Sequence, residues 1–109
     1  MSLEVSIALR AEQDMALQYL WYLENADLDV AERYLLAVHE TILRIAEWPE
    51  MGCRRHFQAP ELAGVRSTQV KKPFERHLLF YIDRNTLRIE RVMHGARDLP
   101  NRLLEDPHR

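Results

Sequence analysis

The sequence has one cysteine, three glycines and no long apolar segment. Cys53 has no second cysteine with which to form a disulfide or share a zinc site, so we interpret it as a structural or incidental thiol in a reducing setting. No apolar run approaches the length of about 18 residues that a membrane-spanning helix needs, and the amino terminus lacks a signal-peptide pattern. We therefore expect a cytoplasmic protein without a membrane partner.

The common catalytic motifs are also missing: there is no glycine-rich phosphate loop, no G-x-S-x-G, no H-E-x-x-H and no C-x-x-C. The histidines are scattered, and no two have the i, i+4 spacing of a helical metal site; they are His39, His56, His77, His94 and His108. We expect no metal, no cofactor and no small-molecule substrate.

The composition is that of an ordinary globular protein, with 47% apolar and 29% charged residues in 109, and it predicts a single domain over residues 1–109. The net charge of -2 argues against a polycation that binds phosphates non-specifically. That average is uneven, because residues 1–51 carry three basic and ten acidic side chains, whereas residues 52–98 carry ten and five. This asymmetry predicts faces of opposite sign and an interaction surface.

Apolar periodicity in the first half predicts one strand and two helices. Residues 3–9 alternate in the manner of a half-buried strand, and helical spacing then continues from Ala11 to about Asn25. Asp29 and Glu32 form a possible capping box that would start a second helix near Val30, and Trp48-Pro49 would end it. The short linker predicts an antiparallel helical hairpin.

The second half predicts strands. Residues 47–63 suit a long loop, residues 65–71 a strand, and residues 76–93 a β-hairpin, while residues 98–104 suit a short helix before a frayed tail from about residue 105. The expected fold is α+β, in the order β-α-α-β-β-β with a short terminal helix, the hairpin packing on a small, mostly antiparallel sheet.

Cationic side chains are concentrated in this second half. Alternation along a strand places Arg76 and His77 on different faces, so some cations could converge away from the helices, with His94 as a general acid or base. The blander interpretation is that they are solvated charges paired with acidic neighbours. The cations are Arg54, Arg55, Arg66, Lys71, Lys72, Arg76, Arg88, Arg91 and Arg97. The acidic neighbours are Glu75, Glu90 and Asp98.

Four segments in a fixed order carry a family resemblance. They are Trp48-Pro-Glu-Met-Gly-Cys-Arg, Leu62-Ala-Gly-Val-Arg66, His77-Leu-Leu-Phe-Tyr81 and Ile89-Glu-Arg-Val-Met-His-Gly-Ala-Arg-Asp-Leu99. In this order after a helical hairpin, the chain resembles the ParE branch of the RelE/ParE toxin superfamily, also called plasmid stabilisation proteins. The family positions are Arg66, His77, Tyr81, His94, Gly95, Arg97 and Asp98. Of these, Tyr81 also suits a core position and Gly95 a turn at a strand end.

The resemblance implies the toxin of a type II toxin–antitoxin pair, neutralised by a small ParD-like antitoxin. ParE-like toxins act on DNA gyrase, and the expected target-binding residues are then Arg66, Arg76, His94, Arg97 and Asp98. Trp21 and Trp48 are candidates for the antitoxin groove, although both also suit core positions.

RelE-like members of the superfamily instead cut messenger RNA on the ribosome. That alternative would use Lys71, Lys72, Arg76, His94 and Arg97. Such nucleases are strongly basic and end in a catalytic residue such as tyrosine, whereas this chain is slightly acidic and has no tyrosine after Tyr81. We therefore expect a non-enzymatic toxin, with an endoribonuclease or an inactive homologue as the alternatives.

Overall fold

The structure is a computed structural model that describes residues 2–95 together with Leu103 and Leu104. Its elements are β1 (Val5–Ile7), α1 (Leu9–Asn25), α2 (Leu28–Glu47), β2 (Cys53–Arg54), β3 (Arg66–Gln69), β4 (His77–Asp83) and β5 (Leu87–His94), with 3-10 turns at Pro49–Met51 and Pro60–Leu62. Two helices lie against a five-stranded sheet of order β1-β5-β4-β3-β2. The expected α+β fold is confirmed. The terminal helix predicted over 98–104 lies outside the described residues except for Leu103 and Leu104, which are helical, and the tail from about 105 lies outside them entirely.

The start of the chain differs from its prediction. β1 covers only Val5–Ile7, because Leu9 already begins α1, where its side chain is 68% exposed. β1 pairs in parallel with the last strand, β5, at Leu87–Ile89. The other strand pairs in the sheet are antiparallel, as expected.

The second helix begins two residues earlier than predicted. Asp27, not Asp29, is its N-cap, and the Asp27 carboxylate accepts a hydrogen bond from the Val30 N–H at 2.9 Å. The predicted capping box is therefore wrong. Asp29 lies inside the helix and pairs with Arg33 one turn later, at 3.0 Å. The helix ends at Glu47, before Pro49, as the sequence predicts.

The segment predicted as a loop contains one strand that the periodicity did not reveal. β2 is only two residues long, and it pairs Cys53 with Ser67 and Arg54 with Arg66 of β3. The Arg55 N–H continues the pairing by donating to the Val65 carbonyl at 2.9 Å. A strand this short carries no alternation, because pairing with a distant segment defines it.

The apolar side chains form two clusters, one on each face of the sheet. The larger lies under the helices and includes Tyr34, Val38, Ile42, Ile45, Leu79, Tyr81, Leu87, Ile89 and Val92. The smaller, on the opposite face, contains Leu62, Val65, Phe80, Met93 and Leu103. The face away from the helices is therefore partly covered by the 57–65 segment and Leu103.

A β-bulge interrupts the alternation of the last strand. Tyr81 is paired with Ile89 and Phe80 with Arg91, so Glu90 is an extra residue in β5. Strict alternation would place Ile89 and Arg91 on the same face. Because of the bulge, Ile89 and Val92 both pack under the helices instead.

Candidate functional site

Arg66 and Tyr81, two family positions, lie opposite each other on β3 and β4. The fully buried Tyr81 hydroxyl donates to the Pro49 carbonyl at 2.7 Å and accepts from the Gly52 N–H at 2.8 Å. Burial raises the pKa of Tyr81, so the hydroxyl stays protonated. These bonds tie the turn after α2 to the sheet, which confirms the core interpretation of Tyr81.

The Arg66 guanidinium fastens the same turn. Its Nη1 donates to the Gly52 carbonyl at 3.1 Å, and its Nε lies 3.3 Å from the Asp83 carboxylate. Only 13% of the Arg66 side chain is exposed. The geometry gives Arg66 a positioning role in the turn, and its predicted contact with a target stays a prediction.

His77 and His94 are direct neighbours on β4 and β5, with ring centroids 4.9 Å apart. The His77 side chain is 1% exposed, and its Nε2 is hydrogen-bonded to the Tyr22 hydroxyl at 2.8 Å. Burial, with a smaller contribution from the His94 charge, lowers the pKa of His77 from 6.5 to about 4. His77 is therefore neutral at physiological pH, whereas His94 is exposed.

The remaining candidate cations lie near the β3–β4 turn. Lys71, Lys72 and Arg76 are exposed, and the Arg76 carbonyl accepts from the Gly95 N–H at 3.2 Å, which places Arg76 beside the end of β5. Gly95 has a φ of +80°, which confirms its role as a turn residue at a strand end. The turn residues and His94 thus lie at one end of the sheet. Arg97 and Asp98, predicted as target contacts, lie outside the described residues.

The comparisons with known proteins agree with this architecture. A family model described as "ParE toxin of type II toxin-antitoxin system, parDE" matches residues 5–99, which include both helices and all five strands. The chain belongs to the ParE toxin family. Among solved structures, a chain titled "Chromosomal ParDE TA system from P. aeruginosa" has a TM-score of 0.69 at 14% identity, with 87% of this chain and 98% of that chain covered. At that identity the match supports the fold alone. No curated protein sequence matches the chain.

This ParE-family chain exposes both of its tryptophans. Trp21 is 55% exposed and Trp48 is 67% exposed, so the alternative that they are core residues is wrong. Trp48 lines a cleft of about 640 Å³ with Leu3, Pro49 and Met51. Trp21 lines a smaller cleft of about 300 Å³ with Gln18, Tyr22 and His94.

The helical hairpin also exposes leucines in regular stripes. On α1, Leu17 and Trp21 are one turn apart, and on α2, Leu36 and Leu43 are two turns apart. The two leucines of α2 are 58% and 65% exposed. Exposed apolar residues repeated along one side of a helix are typical of a surface that another protein covers.

The most buried charge among the described residues was not singled out by the sequence. Arg91, 3% exposed, pairs with Asp14 of α1, whereas the blander interpretation made it a solvated charge near Glu90; that interpretation is wrong for Arg91. It holds for Arg88, which is 57% exposed and pairs with Glu90 at 2.7 Å. The pair joins residues 77 positions apart, so no local pattern signals it.

None of the helices in the described part of the chain is long and apolar enough to span a membrane. Among the same residues, no group of three or more histidine, cysteine, aspartate or glutamate side chains is arranged to hold a metal ion.

Proposed function

We propose that this chain inhibits DNA gyrase in the cytoplasm and is neutralised by a ParD-like antitoxin. The observation that supports this most directly is the ParE family match over residues 5–99, which includes the whole helical hairpin and sheet. The target contacts we propose are Arg66, Arg76, His94, Arg97 and Asp98. The structure describes three of these residues, Arg66, Arg76 and His94. Of the three, Arg76 and His94 are exposed, both at the β3–β4 end of the sheet.

The geometry favours a binding protein over a nuclease. Of the residues that the ribosome-dependent alternative would use, Lys71 is held by Glu40 at 2.6 Å, and His94 lies against the buried ring of His77. Proton transfer needs an acid or base within hydrogen-bond reach of the reacting atom. Lys71, just beyond the end of β3, is therefore engaged by Glu40, and His94, at the end of β5, contacts a histidine that is buried and neutral.

The antitoxin surface that we propose is built around Trp21 and Trp48. An amphipathic segment that folds on binding needs apolar anchor sites, and exposed tryptophans beside clefts are favoured anchors. Trp48 and Met51 form an apolar cleft whose rim carries Glu47, Asp83 and Arg84. Charged residues at a rim fix the register of a partner while the apolar centre excludes water.

A supercoiling assay tests the target. Purified gyrase and relaxed plasmid are incubated with the full chain, and we expect supercoiling to fall with toxin concentration. The Arg76→Ala and His94→Ala variants should inhibit less, while Arg33→Ala, which removes an exposed charge on α2, should inhibit as the unchanged protein does.

Supercoiling that is unchanged at a large excess of toxin would overturn the gyrase assignment. A translation extract supplies the second arm. Cuts in message positioned by codon, lost in Arg76→Ala or His94→Ala, would assign the ribosome-dependent endonuclease instead, and normal growth on expression without the antitoxin would indicate an inactive homologue.

A further inference from the structure

A groove of about 500 Å³ lies at the outer edge of β3. It forms because β2 pairs only with Arg66 and Ser67, so β3 continues past the end of its neighbour. Thr41 of α2 closes one side, where its hydroxyl accepts the Lys71 N–H at 3.0 Å. The groove and the Trp48 cleft have only Met51 in common.

The charged side chains that line this groove are mostly basic. They are Arg44, Arg55, Lys71, Lys72 and Glu75, and we call the site that they line the basic groove. Glu40, which pairs with Lys71 at 2.6 Å, is a further acidic side chain at its margin. The cations come from α2, from the segment after β2 and from the β3–β4 turn, so the fold collects them from three separate parts of the sequence.

Two contacts within the protein hold Arg55 in place. Its Nε donates to the Ser67 hydroxyl at 2.7 Å, and its guanidinium lies 6.0 Å from the centre of the Phe80 ring. Within residues 2–95, neither terminal nitrogen of Arg55 has a hydrogen-bond partner. A guanidinium fixed through its Nε presents both terminal nitrogens as a fork, the geometry that matches two oxygens of a phosphate.

We propose that the basic groove binds the phosphodiester backbone of nucleic acid. Protein–protein interfaces are depleted of charge at their centres, whereas nucleic-acid interfaces are strongly positive. Four cations against one lining carboxylate fit the second class. Of the large apolar side chains that are exposed in the described part of the chain, Met51 alone lines the groove. The groove is also larger than one phosphate needs, so it has room for a length of backbone.

This proposal deepens the proposed function, on which it rests only for the source of the nucleic acid. A toxin that acts on gyrase meets the enzyme with its DNA bound, and the basic groove would then contact that DNA. The acidic first half of the chain opposes general binding to phosphates, so binding should depend on the groove.

Fluorescence anisotropy with labelled oligonucleotides tests the groove without gyrase or antitoxin. The full chain, made by cell-free synthesis, is titrated into a duplex DNA and into a single-stranded RNA across a series of salt concentrations. We expect affinity that falls as salt rises and similar binding of the two probes, because contacts to phosphates carry little information about sequence.

Two double variants with the same change in charge provide the comparison. Arg44→Gln/Lys72→Gln removes groove cations whose side chains make no hydrogen bond within residues 2–95, so the fold is spared. It should reduce the slope of log affinity against log salt by about two for the duplex. Arg33→Gln/Arg88→Gln removes two cations outside the groove and should leave that slope unchanged. Glu75→Gln should tighten binding, because it removes the lining carboxylate.

The proposal would be overturned if the chain bound neither oligonucleotide at low salt, or if the two double variants lost the same amount of affinity for the duplex. It would also be overturned by a groove variant that binds nucleic acid normally but loses affinity for the antitoxin, since the occupant would then be an acidic protein segment. Binding of RNA without DNA would also overturn it. The result is separable from the gyrase assay, because a toxin that inhibits supercoiling without binding either probe refutes the groove alone.

Discussion

Arg91 of β5 and Asp14 of α1 form a bidentate ion pair. The Arg91 Nε and Nη2 donate to the two carboxylate oxygens of Asp14 at 2.7 and 2.8 Å, and the Val92 N–H donates to the same carboxylate at 3.0 Å. The side chains are 4% and 8% exposed. Asp14 thus satisfies the edge of β5 beyond the point where β1 ends, and it sets the position of α1 on the sheet.

Removing one partner of this pair should destabilise the fold strongly. Asp14→Ala removes the carboxylate to which the buried Arg91 guanidinium and the Val92 N–H donate, and breaking a buried pair in this way costs about 3–5 kcal/mol. We expect the urea midpoint of unfolding to fall accordingly. Asp29→Ala is the control, because its pair with Arg33 is exposed and contributes about 0.3–0.5 kcal/mol. Equal losses in the two variants would contradict the role given to Asp14.

The sequence predicted the order of the helices and the main strands, because the helices carry apolar residues at helical spacing and β4 is an almost continuous apolar run. It could not predict β2 or the pair of Asp14 with Arg91, since both depend on contacts between distant segments. The bulge at Glu90 also makes the faces of β5 hard to predict from the sequence, because one extra residue reverses the face of every side chain beyond it.

The start of α2 shows a different limit. The sequence prediction placed the N-cap at Asp29, because Glu32 three residues later completes the pattern of a capping box. The structure begins the helix at Leu28, where Asp27 can accept the Val30 N–H. Local preferences identified the helix but placed its first turn two residues too late. In the candidate site, the family positions were recognisable from the sequence. The contacts of Arg66 with the Gly52 carbonyl and with Asp83 could not be predicted from it.

His77 should make stability fall in mild acid. Its pKa is lowered to about 4 in the fold from 6.5, so between these values the unfolded chain binds the proton and the folded chain does not. The contribution of neutral His77 to the free energy of unfolding is therefore fully present above pH 6.5. It is lost as the pH falls toward 4, by up to about 1.4 kcal/mol per pH unit.

Urea unfolding of the unchanged protein and of His77→Phe at several pH values measures this contribution. Carboxylates titrate in both proteins, so the difference between the two pH profiles isolates His77. We expect a shallower decline in His77→Phe, and no change in slope for the exposed His56→Gln. Parallel profiles for all three proteins would show that His77 takes up its proton equally well in the folded state.

Gly52 should tolerate no side chain, for reasons of space. Its φ of -76° is open to any residue, but a Cβ there would lie 2.4 Å from the Tyr81 hydroxyl oxygen and 2.8 Å from the ring. Gly52→Ala should therefore cost about 1–3 kcal/mol and weaken the hydrogen bonds that hold the Pro49–Met51 turn. At Gly64, where φ is +80° and the surroundings are open, alanine should cost about 1 kcal/mol through backbone strain alone.

Thermal unfolding and the environment of Trp48, followed by its fluorescence, distinguish the two glycine variants. We expect Gly52→Ala to change the fluorescence as well as the stability, because Trp48 directly precedes the turn that Tyr81 holds. Gly64→Ala should change stability only. An unaltered melting curve for Gly52→Ala would mean that the turn moves away from Tyr81 at no cost.

Trp21 and Trp48 should contribute to antitoxin affinity but little to folding. Each is more than half exposed, so truncation to alanine removes few contacts within the toxin. If the antitoxin buries either tryptophan side chain, truncating that side chain should cost about 2 kcal/mol or more of binding free energy. This corresponds to a dissociation constant that is roughly 30-fold higher. Isothermal titration calorimetry, in which the antitoxin is titrated into each variant, measures this affinity. Leu9→Ala, which truncates another exposed apolar side chain outside both tryptophan clefts, is the control. Affinity unchanged in both tryptophan variants would place the antitoxin on another surface, and the leucine stripe of Leu36 and Leu43 on α2 is then the next to be substituted.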